Sequence, residues 1–265
     1  MQRLERCILT RPIAHSQNMY NSLDSLVGYS SDRIVSYQAL PQISYVISSN
    51  EELRNRLYVS SDHKKYSAQS SYDIFVHQED SVESFLNPLR PSTPFIGAID
   101  EISEYIVQCF TAVTGDSFPH DVSLRLCSTE ELKNIHQELS GSWSHGIMGF
   151  SLNNPRGMSE IFVKQDSFDR VMITIGHEIG HVISPTLPDK VMEEAKAFAF
   201  EMAWITALRE HNIAGLGSCV IDTLPASNGI HDKAFWMVLE NIKHGLGGLE
   251  LFKKIVRLEE IVSMN

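Results

Sequence analysis

The run His177–Glu178–Ile179–Gly180–His181 constrains this chain more than any other stretch of it. Histidines four residues apart act together only on a helix, where they are separated by about 40° and one turn. The neighbouring residues supply that helix. Phe168, Val171, Ile175, Ile179 and Val182 form one apolar stripe, Asp166 and Ser167 stand where a cap belongs, and Pro185 and Pro188 stop it. Ile179 lies about 200° from His177, so the stripe is buried on one side while both imidazoles leave another. The fold must therefore cover one face of this helix and bring a second element to the histidines.

The flanking sequence predicts an α+β domain with a small sheet and helices packed on it. Phe95 to Val113 places Ile96, Ile99, Ile102, Ile106 and Phe110 at helical spacing, closed by Gly115. Asp121 to Cys127 alternates as a strand, and Thr129 to Leu139 reads as a short helix. Ile147–Leu152 and Glu160–Lys164 are strand-like and joined by turn residues, so they predict an antiparallel hairpin. Asp189 opens a further helix that runs to about Glu210.

Ahead of all this, residues 1–93 hold 17 serines and short apolar pieces such as Ile43–Ile47 and Tyr72–Val76. Three prolines, Pro88, Pro91 and Pro94, mark a boundary. The division expected is 1–93, an extension or subdomain of unassigned role, and 94–265, the domain that carries the motif. Charge divides the same way. Residues 1–93 carry 9 basic and 10 acidic side chains, and residues 94–265 carry 13 and 23. An acidic domain repels phosphate backbones, so nucleic acid is excluded as a direct partner. No apolar run is long enough for a bilayer, which excludes a membrane span. Cys7, Cys109, Cys127 and Cys219 are scattered with no CxxC pair, which fits a reducing, cytoplasmic setting.

The chemistry implied is that of a metal. Zn²⁺ accepts two such imidazoles, needs a third protein ligand and keeps one position for water. Glu178 flanks the pair, where it could take a proton from that water. The bland reading is a pair of solvated surface histidines. A third histidine in the pattern HExxHxxGxxH is excluded, because positions 184 and 187 are Ser184 and Leu187.

A carboxylate from the next helix is the other solution, and Glu193, Glu194 and Glu201 are the candidates. If Lys196 marks the solvent side, Glu193 lies about 60° from it, Glu194 about 160° and Glu201 about 140°. That ranks Glu194 first as ligand, makes Glu201 a partner that orients a ligand histidine, and leaves Glu193 at the surface.

HEIGH followed by EEAKAFAFE resembles the gluzincin zinc metallopeptidases, in particular the ImmA/IrrE-like and minigluzincin groups. The resemblance covers about the central 110 residues and implies a zincin-like fold, bound zinc and a protein or peptide substrate. This chain departs from the group in a short gap between His181 and Glu194, and in Lys196 and Phe198 after the Glu-Ala pair. Gly229–Ile230–His231 is similar to the segment with which thermolysin-like enzymes place a histidine over the tetrahedral intermediate. Such a group would stabilise an oxyanion, whereas a surface histidine at a helix start would do nothing. Gly146 to Ser151 is a candidate exposed edge strand for pairing with extended substrate. Two functions follow as expectations. One is a zinc endopeptidase. The other is a non-catalytic regulatory or binding protein on the same scaffold. Oligomeric state is left open.

Overall fold

The computed structural model describes residues 74–140, 142–154, 156–221 and 230–263. The strand expected at Ile43–Ile47 lies outside the described residues.

Strand β1 (Phe75–Gln78) and the short helix α1 (Glu79–Ser84) come first. They are followed by β2 (Phe95–Ile96), a 3-10 turn at Ile99–Glu101, helix α2 (Ser103–Thr114), β3 (Val122–Cys127) and α3 (Thr129–Ser140). The hairpin β4 (Ile147–Leu152) and β5 (Ser159–Lys164) leads through β6 (Asp166–Ser167) into α4 (Phe168–Val182), the helix of the motif. Helix α5 (Lys190–Glu210), a 3-10 segment at Ile213–Ser218, α6 (Ile230–Lys243) and α7 (Gly248–Ser263) complete the chain. Among the described residues no helix is long and apolar enough to cross a membrane.

The main sheet has the order β1-β4-β5-β3, with β5 and β3 parallel and the other pairs antiparallel. One face carries Leu124, Ile161 and Val163 into the core shared with α4 and α5. The other face carries Phe150, Leu152 and Phe162 against Leu132 and Ile135 of α3. Both faces are covered, so the strands read as near-continuous apolar runs instead of alternating ones. Between β1 and β4 the register jumps, His77 pairing with Gly149 and Gln78 with Ile147, which leaves Met148 as the extra residue of a bulge.

The structure corrects two expectations. Phe95–Ile96 is not the start of a helix. Pro94 and Gly97 flank a two-residue strand that pairs with Asp166–Ser167, and the helix begins only at Ser103. Gly146–Ser151 is not an exposed edge, because β1 covers it and β4 sits inside the sheet. The described residues ahead of the proline segment pack into the core of the domain that follows it. Val82, Phe85 and Leu86 are buried in the same cluster as Ile175 and Trp204, so a cut at residue 93 would strip β1 from β4.

The segment is also pinned. Arg90 Nε donates to Asp169 at 2.6 Å, Thr93 Oγ1 donates to it at 2.7 Å, and Phe168 N donates to the Pro94 carbonyl at 2.9 Å. The first backbone donors of α4 are met by the Pro94 carbonyl, by Thr93 Oγ1, which accepts from Asp169 N at 3.4 Å, and by Asp169 Oδ1, which accepts from Arg170 N at 3.0 Å. Ser167 occupies the N-cap position without a side-chain cap bond.

Helices α4 and α5 cross closely because glycine allows it. A Cβ on Gly180 would stand 2.8 Å from Ala197 Cα, and one on Gly176 would stand 2.5 Å from Trp204 Cδ1. Trp204 Nε1 donates to the Met172 carbonyl across the same seam at 2.9 Å. The start of α5 is capped as expected, with Met192 N donating to Asp189 Oδ1 at 2.8 Å.

Candidate metal centre

His177 and His181 leave one face of α4 towards α5. Their Nε2 atoms are 3.2 Å apart, and His177 Nε2 lies 3.5 Å from Glu194 Oε2. The three residues are buried and offer donor atoms all within 4.8 Å of one another. Two nitrogens bound at zinc distance in tetrahedral geometry would be about 3.3 Å apart, so the observed spacing suits one shared cation.

The far nitrogens are fixed by carboxylates. His177 Nδ1 lies 2.9 Å from Glu201 Oε2, and His181 Nδ1 lies 2.8 Å from Glu193 Oε1. An ionised carboxylate only accepts, so each Nδ1 donates, and it is the two Nε2 atoms that face each other and Glu194. Something positive must lie between two such nitrogens, either a proton carried by His177 or a shared metal cation. This is the arrangement in which outer carboxylates orient ligand histidines.

The charge balance points the same way. Glu178, Glu193, Glu194 and Glu201 are all buried, and among the described residues Lys196 is the buried cation beside them. Counting the protein's own groups alone, protons answer the imbalance. Burial would lower the pKa of His177, but its bonds and charge interactions with Glu194 and Glu201 outweigh that and raise it to about 10. Burial raises Glu178 to about 8 against the pull of His177. His181 moves down, chiefly because it is buried. A divalent cation at the convergence of the three donors would relieve the same imbalance.

Two assumptions about α5 are corrected. Glu193 is not at the surface. It is fully buried and accepts from His181 Nδ1, from Leu187 N at 2.7 Å and from Lys196 Nζ at 2.9 Å. Lys196 does not mark a solvent side either. It is fully buried, and its Nζ also donates to the carbonyls of His181 and Pro185 at 3.2 and 3.1 Å. The physical reason is that α5 is covered nearly all round, so it has no solvent face to mark. Glu194 stands beside the histidines and Glu201 behind one of them, although the reference point for the helical angles does not hold.

Glu178 belongs to neither potential metal triad. Among the described residues neither of its oxygens has a hydrogen bond of ordinary geometry, although Ser151 stands close enough to ease its charge. Gly149 of β4 makes room for it. A Cβ there would be 2.7 Å from Thr174 Cγ2 and 3.4 Å from Glu178 Oε1.

A second triad, His77 with His177 and Glu201, does not suit a metal as well. The two rings stack with centroids 4.0 Å apart and planes 16° from parallel. Imidazole binds a cation in its own plane, and one ion cannot lie in two stacked planes. Sequence reasoning does not single out His77. Its only signal is a polar residue within a short apolar strand, and nothing local gives that strand's partner.

His231 falls in the first turn of α6, and its side chain lies outside the described residues. His145, His211 and His244 are exposed. No protein-family model, curated protein or solved structure matches this chain.

Proposed function

We propose that this chain is a zinc metallopeptidase of gluzincin type, with His177, His181 and Glu194 as the metal ligands and Glu178 as the general base. The observation that supports this most is the pair of Nε2 atoms 3.2 Å apart, each backed at Nδ1 by a buried carboxylate. Bound there, zinc would act as the Lewis acid that polarises a scissile carbonyl and acidifies water. The chain supplies the rest. Glu201 and Glu193 hold the two rings in the tautomer that frees Nε2. Glu178, one residue from His177 and outside the ligand set, takes the proton from the attacking water and hands it to the leaving amine. His231 is assigned to the oxyanion on its sequence context alone. The substrate is a protein or peptide. The buried free thiols of Cys109, Cys127 and Cys219 support a reducing, cytoplasmic setting.

One observation favours the second reading, a non-catalytic regulatory or binding protein that keeps the scaffold. His177, Glu178, His181 and Glu194 are only 0, 0, 1 and 4% exposed, so a peptide must displace covering groups before it meets them. The two readings separate in one experiment on the full chain. Metal analysis should find one zinc per chain, lost in Glu194→Ala. Glu178→Gln should keep the zinc and the fold while losing cleavage of a generic peptide. Zinc in both proteins with no cleavage by either selects the second reading. A wild type without zinc removes the ligand assignment and leaves the second reading alone.

A further inference from the structure

Resting on the proposed metal centre, we infer that His77 is a positioning residue for it. His77 comes from β1, a hundred residues before His177, and aims the His177 ring at the shared donor point. His77 is fully buried and lies flat on His177 at 4.0 Å, while its Nε2 faces Glu201 Oε1 at 3.8 Å.

The geometry shows why a ring is needed there. The ring turns about its Cα–Cβ and Cβ–Cγ bonds, and one hydrogen bond from Nδ1 to a flexible glutamate limits that turning without stopping it, so Nε2 could still swing away from His181 and Glu194. His77 blocks the turn on one face. Phe198 blocks another direction edge-on, with centroids 4.8 Å apart and planes 71° apart. Glu201 is reached from both sides, by His177 Nδ1 at 2.9 Å and by His77 at 3.8 Å. The pairing of β1 with β4 carries the ring. His77 still pairs with Gly149, and the register jumps immediately after it.

His77 supplies no ligand in this reading, so its loss should loosen the metal without abolishing the site. The test uses the full chain and four variants: His77→Ala, His77→Phe, His77→Gln and, as a control in the same strand, Val76→Ala. Zinc affinity is measured by competition with a chelator. Geometry is read from the visible absorption of the cobalt-substituted protein, and kcat and KM from a generic peptide. His77→Ala and His77→Gln should bind zinc about 10-fold or more weakly, as loss of an outer partner of a ligand histidine does, and shift the cobalt bands. His77→Phe keeps a flat ring and should recover most of the affinity and the wild-type spectrum. Val76→Ala should bind as wild type does.

Wild-type affinity and spectrum in His77→Gln overturn the inference, and so does a Phe variant no better than the Gln variant. If His77→Ala does not fold, the comparison of Phe with Gln decides. Peptidase activity that rises in the His77 variants also overturns it, because β1 would then be covering the site instead of supporting it. Zinc in the wild type without peptidase activity defeats the proposed reaction while the metal measurements still judge His77. No zinc in the wild type defeats both.

Discussion

The two histidine arms of the centre are alike at the donors and unlike behind them. Each Nδ1 meets a glutamate of α5, at 2.9 Å for His177 and 2.8 Å for His181. Behind Glu193 stands a buried lysine whose Nζ meets the Glu193 carboxylate and two main-chain carbonyls. Behind Glu201 stands the ring of His77 at 3.8 Å. The His181 arm is assembled within residues 181–196, from the end of one helix, the turn and the start of the next. The His177 arm needs a strand from far upstream. The first arm is neutralised by an ammonium, and the second is held by shape. The arms should therefore fail differently, one by losing charge balance and the other by losing alignment.

The largest effect is expected from removing the ammonium. Lys196→Met leaves Glu193 as an uncompensated buried charge, and breaking such pairs costs about 3–5 kcal/mol. Urea unfolding should show that loss, and the double variant Glu193→Gln with Lys196→Met should regain much of it. Glu201→Gln should cost much less stability than Lys196→Met while weakening zinc about as much as Glu193→Gln does. Equal destabilisation by Lys196→Met and Glu201→Gln would erase the contrast between the arms.

A smaller effect is expected at the seam that both arms share. Gly180→Ala puts a Cβ 2.8 Å from Ala197 Cα, which is backbone and cannot turn aside. Overpacking of this kind costs about 1–3 kcal/mol, and it should lower zinc affinity through both arms. A variant as stable as wild type with unchanged affinity would show that α4 can slide on α5.

The smallest effect is a pH dependence at the far end of α4. Burial raises the pKa of Asp169, but hydrogen bonds from Ser167, Thr93 and Arg90 outweigh it, so its folded pKa lies below the ordinary value. A depressed carboxylate pKa gives stability that is full above the unfolded value of about 3.9 and is lost as pH falls through the folded value. Asp169→Asn should therefore flatten the acid limb of stability against pH while lowering stability at neutral pH. An unchanged acid limb would show that the proline segment is not held to α4 by this charge.

What can be read from the sequence is what is local. The motif helix, the Asp189 cap and the β4–β5 hairpin all follow from spacing within one or two elements. The assumption that a lysine marks solvent fails because burial depends on what surrounds a helix. The pattern KVMEEAKAFAF does not show that α5 is enclosed. With the enclosure known, Glu193 and Lys196 three apart in a run of Ala and Phe are the signature of a buried ion pair. His77 cannot be found this way. A four-residue strand fixes neither its partner nor its register, and the bulge at Met148 is a property of the pair.

The glycine seam has one more consequence. At Gly180 and Ala197 two helices meet backbone to backbone, with no side chain left between them to trim or turn. The backbone separation beneath the histidines and Glu194 is thus a dimension of the scaffold and not of its side chains. The torsions of the ligand side chains can absorb a small change in ion radius, whereas a larger one has to push the main chains of both helices apart. Retuning the centre would begin at the crossing of the helices, before any ligand is exchanged.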